Sequence, residues 1–173
     1  NKPTWLQPVT DEEYASAVNA TTSVYDNQAL TAREQAIVAI ASYTGKGDLE
    51  HLPMALVQGL EKGMTVNDIK EVLIQAYAYC GFPRSLRAIQ TFMKVLDDRK
   101  SQGINDTMGK EATMPNQDGD KYDRGAAILE TLSGADSAHP KSGYGAFAPA
   151  IDQFLKEHLF ADIFERGLLT YRE

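Results

Sequence analysis

The sequence predicts an all-helical fold. Three observations carry it. Helix-capping pairs recur along the chain, apolar residues after each cap return every three to four positions, and a glycine stands where most of these stretches stop. No run alternates apolar and polar residues over a convincing length, and the Val- and Ile-rich runs lie inside helical periods.

Thr10 with Glu13 reads as a first capping box, with Tyr14 and Val18 one turn apart behind it. Residues 1–29 are therefore expected to form an N-terminal helix and arm. Thr31 with Glu34 is a second box, opening an apolar stretch through Ile37, Val38, Ile40 and Tyr43 that Gly45 and Gly47 break. The next helix, led by His51, carries Leu52, Leu56, Val57 and Leu60 and ends at Gly63. Thr65 with Asp68 opens a third, with Ile69, Leu73, Ala76 and Cys80 along one side and Gly81 as its stop. Pro83 suits the first turn of a fourth, where its missing N–H costs nothing, and Leu86, Ile89, Met93 and Leu96 are expected as its buried face. Residues 101–119, rich in Gly, Asn, Asp and Thr, read as a long polar loop serving as a lid, linker or subunit-wrapping arm. Residues 120–173 hold two more helices, one with Ile128, Leu129 and Leu132, the other starting near Pro149 with Ile151, Phe154, Leu155, Leu159 and Phe164.

The composition is globular, with 43% apolar and 24% charged residues among 173. A net charge of -7 disfavours a nucleic-acid partner, which needs clustered Lys and Arg, but still allows a pocket for a small anion. A single cysteine, Cys80, rules out an intrachain disulfide and any Cys-only metal site. His139 and His158 have no partner at metal-ligand spacing, so no metal is expected. No apolar run approaches the ~18 residues of a membrane span, and no signal peptide is expected within these residues. One thiol fits a reducing compartment, which makes the cytoplasm the expected location. Asn1 stands first instead of a methionine, so a segment removed ahead of it is expected.

Residues 30 to about 96 resemble the carboxymuconolactone decarboxylase family. The matching pieces are Leu30-Thr31-Ala32-Arg33-Glu34 opening a helix, a Gly-broken turn with His51 at the next helix start, Ala55-Leu56 before Gly63 and Thr65, then Ile69, Glu71 and Val72, and Tyr79-Cys80-Gly81-Phe82-Pro83. The Tyr-x-Gly-x-Pro turn is the most specific of these. Residues 30–100 are thus read as one family repeat. The resemblance implies an alkylhydroperoxidase D-like fold of antiparallel helix pairs, a homo-oligomer (a trimer or a hexamer), and lyase chemistry on a small anionic substrate with no cofactor. The dithiol peroxidases of the same superfamily use Cys-x-x-Cys-x-x-x-His. With that histidine on His51, the two cysteine positions hold Thr44 and Gly47. Dithiol chemistry needs a second thiol to resolve the mixed disulfide, so a peroxidase of that type is not expected.

Loss of carbon dioxide from a carboxylated lactone or oxo-acid leaves charge on a carbonyl. It calls for cations at the carboxylates, a donor at the carbonyl oxygen and a proton donor. His51 is the candidate proton donor or carbonyl polariser; it could equally cap its helix or pack at an interface. Glu34 could orient His51 across the bend, or simply close its capping box. Arg84 and Arg87 lie on one side of their helix and suit either a dicarboxylate or intersubunit ion pairs. Arg33, Tyr79 and Cys80 complete the candidate substrate-binding set, Cys80 being otherwise a small buried hydrophobe. A non-catalytic oligomer of the same fold, binding a ligand or acting as a scaffold, is the alternative.

Leu30-Thr31-Ala32-Arg33-Glu34 returns as Leu169-Thr170-Tyr171-Arg172-Glu173. A capping box serves the first turn of a helix. The second copy is therefore expected to open a further family repeat, truncated in this chain.

Overall fold

A computed structural model describes residues 30–115 and 117–173. The expected box at Thr10 and its helix lie outside the described residues. All regular structure among the described residues is helical. α1 spans Ala32–Lys46, α2 Leu52–Glu61, α3 Val66–Cys80 and α4 Phe82–Ser101. After the polar loop come α5, Lys121–Ser133, and two short helices, α6 over Gly143–Phe147 and α7 over Pro149–Gln153. α7 runs on through a wider, π-helical stretch, Phe154–Ile163, into a single tight turn, Phe164–Arg166.

The capping boxes form as the sequence predicts. Thr31 Oγ1 accepts from the Glu34 N–H while Glu34 accepts from the Thr31 N–H, and Thr65 with Asp68 repeats the arrangement at α3. Gly47 ends α1 in the left-handed region, φ 76°, where a side chain would be strained. The chain then reverses, and His51 stands as the last residue before α2.

α1 and α3 start at the same end of the bundle, where Arg33 pairs with Asp68 at 2.9 Å. α2 and α4 run the other way, and Glu61 at the end of α2 meets Arg99 near the end of α4 at 3.6 Å. The result is up-down-up-down. Ile37 and Ile40 of α1, Leu52 and Leu56 of α2, Ile69 and Leu73 of α3, and Phe92 of α4 fill the centre. One expectation needs correction. Leu86 and Met93 are exposed, and α4 buries Ser85, Ala88, Phe92 and Val95 instead. The true face is rotated by one residue from the most hydrophobic one, because close packing on α3 favours small side chains at 85 and 88. Ser85 Oγ also donates to the Leu73 carbonyl at 2.7 Å. Val38 is likewise exposed.

The polar loop is pinned, not free. Thr107 and Met108 carbonyls accept from the Val66 and Asn67 N–H groups, and the Thr113 N–H donates to the Arg166 carbonyl, each at 2.9 Å. The helix over residues 149–166 lies antiparallel to α3. Arg166 Nε donates to Glu71 at 2.8 Å, and Gln75 Nε2 donates to the Ile163 carbonyl at 3.0 Å. α5 packs against the π-helical stretch at Gly125. A Cβ there would stand 1.9 Å from the Lys156 carbonyl oxygen.

That close approach gives a prediction. Gly125→Ala cannot be absorbed by a rotamer change, since the obstacle is backbone. It should destabilise the protein by about 3 kcal/mol, at the upper end of ordinary overpacking. Urea unfolding of the variant checks it; an unchanged midpoint would mean that α5 does not pack this way.

Candidate functional site

The turn between α1 and α2 builds the most developed acid–base arrangement on the family-like part of the chain. The Asp48 carboxylate accepts from the His51 backbone N–H at 3.1 Å and pairs through the same oxygen with His51 Nδ1 at 2.9 Å. Its other oxygen accepts from Lys46 Nζ at 3.0 Å. Hydrogen bonds from His51, then from Lys46, hold the Asp48 carboxyl far below the usual carboxylate range. An ionised Asp48 fixes Nδ1 as the protonated nitrogen and leaves Nε2 for a ligand. The imidazole stacks on Tyr43, ring centres 5.8 Å apart, and remains 56% exposed on its outer side.

Arg84, in the first turn of α4, reaches the same turn and donates to the Gly45 carbonyl at 2.7 Å. Arg87 stands exposed one turn further on. The His51 end of the bundle therefore gathers His51, Asp48 and Arg84. Cys80 closes α3 near the same end, its thiol donating to the Ala76 carbonyl at 3.0 Å.

Glu34 and Arg33 are not brought to His51. They start α1, and His51 follows its other end, on the order of 20 Å away along a helix rising 1.5 Å per residue. Both instead meet the second Leu-Thr-x-Arg-Glu. Arg33 Nε donates to Glu173 and Arg172 Nε donates to Glu34, each at 2.5 Å. Thr170 and Glu173 form a box of their own, with the Thr170 N–H donating to Glu173 at 2.9 Å. Leu169 packs on the core. This segment helps to close a cleft of about 280 Å³ between α1 and α3, walled by Ile37, Ala41, Val72, Ala76 and Tyr79, with Arg172 at its edge. Of the sequence-predicted candidates, Tyr79 lines the cleft and Arg33 and Glu34 do not.

The carboxylate partner of His51 is thus Asp48, which sequence reasoning passed over. The signal was present: an aspartate three residues before a helix-leading histidine can accept from that residue's N–H and its ring at once. Among the described residues no group of three His, Cys, Asp or Glu side chains is placed to hold a metal ion. No described helix is long and apolar enough to cross a membrane.

Comparison with known proteins gives this geometry a context. Residues 12–92 match the model of the carboxymuconolactone decarboxylase family. An uncharacterised protein of Methanocaldococcus jannaschii is 25% identical over 88 residues, which span 51% of this chain and 82% of that protein.

The ion pairs at the Arg33 end make a pH prediction. The Arg172 hydrogen bond, with the Thr31 N–H second, lowers Glu34 to about 2 from 4.5. Burial pushes Glu173 up, but the Thr170 N–H and Arg33 outweigh it and hold that carboxyl below its usual value as well. A carboxylate depressed by folding stabilises the docked state above its unfolded pKa and loses that contribution as pH falls. Residues 169–173 should therefore detach from α1 as pH falls from about 4.5 towards 2. Amide exchange of this segment reads it; protection that does not change across that window would show that the pairs do not hold it.

Proposed function

We propose, from the match of residues 12–92 to the carboxymuconolactone decarboxylase family, that the protein is a decarboxylase-like enzyme of small carboxylated lactones or oxo-acids. The observation that carries the reading is the 2.9 Å contact between His51 and Asp48 in the turn that resembles the family's histidine site. In this reading Arg84 and Arg87 hold a substrate carboxylate. His51 enters the step as the imidazolium: its Nε2–H donates to the carbonyl on which charge collects as carbon dioxide leaves, then passes that proton to the carbon, which leaves the neutral Nδ1–H imidazole. Asp48 keeps the imidazole in one tautomer and stabilises its protonated form. No step calls on a cofactor. The single thiol supports this over dithiol peroxidase chemistry.

The exposed outer face of His51 favours a second reading, a ligand-binding or scaffold oligomer of the same fold. A turnover screen with carboxylated lactones and 2-oxo acids separates the two. His51→Ala should lose at least about 100-fold and Asp48→Asn a smaller factor, as for loss of a general acid and of its orienting group. Equal rates for the native chain and His51→Ala would remove His51 from the mechanism. A thiol-blocking reagent should leave the rate intact; clear inactivation would put Cys80 in the reaction.

The reading includes self-association, to a trimer or a hexamer. Leu86 and Met93 are exposed along one side of α4, an apolar stripe that a partner subunit would cover. Sedimentation at micromolar concentration should give a multiple of 19.0 kDa; the monomer mass would count against it.

A further inference from the structure

A second acid–base arrangement joins the family-like bundle to the helix over residues 149–166. Tyr77 Oη on α3 is hydrogen-bonded to His158 Nε2. His158 Nδ1 lies 3.1 Å from Asp162 Oδ2, four residues along the π-helical stretch, and Lys121 Nζ of α5 donates to the same oxygen at 2.7 Å. Burial pushes the Asp162 carboxyl up, but Lys121 and His158 outweigh it and keep it ionised. An ionised Asp162 calls for the proton of neutral His158 on Nδ1. Nε2 is then the acceptor, and the Tyr77 O–H donates to it. This is the logic of a hydroxyl, its base and the group that orients the base. Here the hydroxyl is a phenol.

We propose that Tyr77, backed by His158 and Asp162, is a second proton-transfer site acting on small enolisable oxo-acids. The ligand class rests on the function proposed above; the three-residue chain stands on its own geometry. Two exposed rings offer a ligand apolar surface, one beside Tyr77 and one on the helix that carries His158. The Phe82 ring stacks on Tyr77, centres 4.5 Å apart, and is itself 61% exposed, leaving an apolar shoulder beside the phenol. Phe154 is exposed too, one turn before His158 on the same helix. The step is a proton transfer and balances without an oxidant. The substrate C–H proton passes to the Tyr77 oxygen as the Tyr77 proton passes to His158 Nε2. The C–H electron pair moves to the carbonyl oxygen as an enolate. Reversal returns a proton to carbon, and the half-exposed imidazole exchanges with water between the two. Tyr77 is the catalytic residue in this scheme, and His158 and Asp162 are positioning residues.

The test follows deuterium uptake at C3 of 2-oxobutyrate in D2O by proton NMR, using the whole chain. The native protein should exchange above buffer. Tyr77→Phe, which keeps the ring and its stacking on Phe82, should lose at least tenfold, and Asp162→Asn less. In the native protein the 15N spectrum of His158 should show the Nδ1–H tautomer, and Asp162→Asn should mix the two tautomers. Exchange by Tyr77→Phe at the native rate, no exchange by the native protein, or a mixed tautomer in the native protein would each overturn the proposal. His51→Ala keeps the two readings apart. If it abolishes lactone turnover while C3 exchange survives, both sites stand. If Tyr77→Phe changes neither, only the relay falls. If His51→Ala changes neither while Tyr77→Phe abolishes exchange, only the His51 reading falls.

Discussion

The placement of the second half of the chain depends on one buried charge. Glu71 sits on α3 with 1% of its surface exposed, beside the buried Ile69, Val72 and Leu73. A carboxylate taken out of water there demands a cation, since an unpaired buried charge costs several kcal/mol. Arg166 meets it through Nε, with both carboxylate oxygens within 3.1 Å. That pairing sets where the helix over residues 149–166 crosses α3 and in which register. Gln75 then finds the Ile163 carbonyl, and Tyr77 finds His158. The Arg166 carbonyl in turn accepts from Thr113, which pins the polar loop. A charge that contributes little net stability in itself thus specifies an arrangement, which is the best-attested use of buried ionic groups.

The bundle has two chemically different ends as a consequence of its topology. Parallel α1 and α3 put their first turns together, and with them the N-terminal helix charges Glu34 and Asp68. Carboxylates are favoured there by capping and by the helix dipole, and arginines gather to pair with them. The opposite end holds the last turn of α1, the lead residue of α2 and the first turn of α4. Here the groups are a histidine, its aspartate and an arginine bound to a carbonyl. At the first end Arg33, Glu34, Asp68, Arg172 and Glu173 are all paired. The second leaves an imidazole nitrogen open, and it is the end with chemical freedom.

What the sequence made legible was local. Thr31 with Glu34, Thr65 with Asp68, and the stops at Gly47 and Gly81 place α1 to α4 because caps and left-handed turns are set by neighbours a few residues apart. The reversal before His51 follows from the same signals. What failed was set by packing at a distance. Leu86 and Met93 have the right period for a buried face, yet the neighbouring helix selected Ser85 and Ala88 by size. The Tyr77–His158 contact joins residues 81 apart, and no local pattern encodes it. Asp48 lies between these cases. It is local to His51, but a turn aspartate ordinarily reads as a cap, and only the ring contact gives it a second role.

The two Leu-Thr-x-Arg-Glu segments carry the argument about Arg33 and Glu34 to its end. Their contacts correspond atom for atom. Glu34 accepts from its own Thr31 N–H on Oε2 and from Arg172 Nε on Oε1. Glu173 accepts from its own Thr170 N–H on Oε2 and from Arg33 Nε on Oε1. Each glutamate therefore closes its own box with one oxygen and holds the other segment's arginine with the second. Such reciprocity is the mark of a local two-fold relation, in which one patch recognises a copy of itself. One pair at a largely exposed arginine is worth little alone. The two together, with Leu169 on the core and Arg33 also on Asp68, fix both the distance and the orientation of the segments. In each glutamate both oxygens are already engaged in this mutual recognition. The geometry thus reads the pentapeptide as a docking element, not as an orienting group for His51.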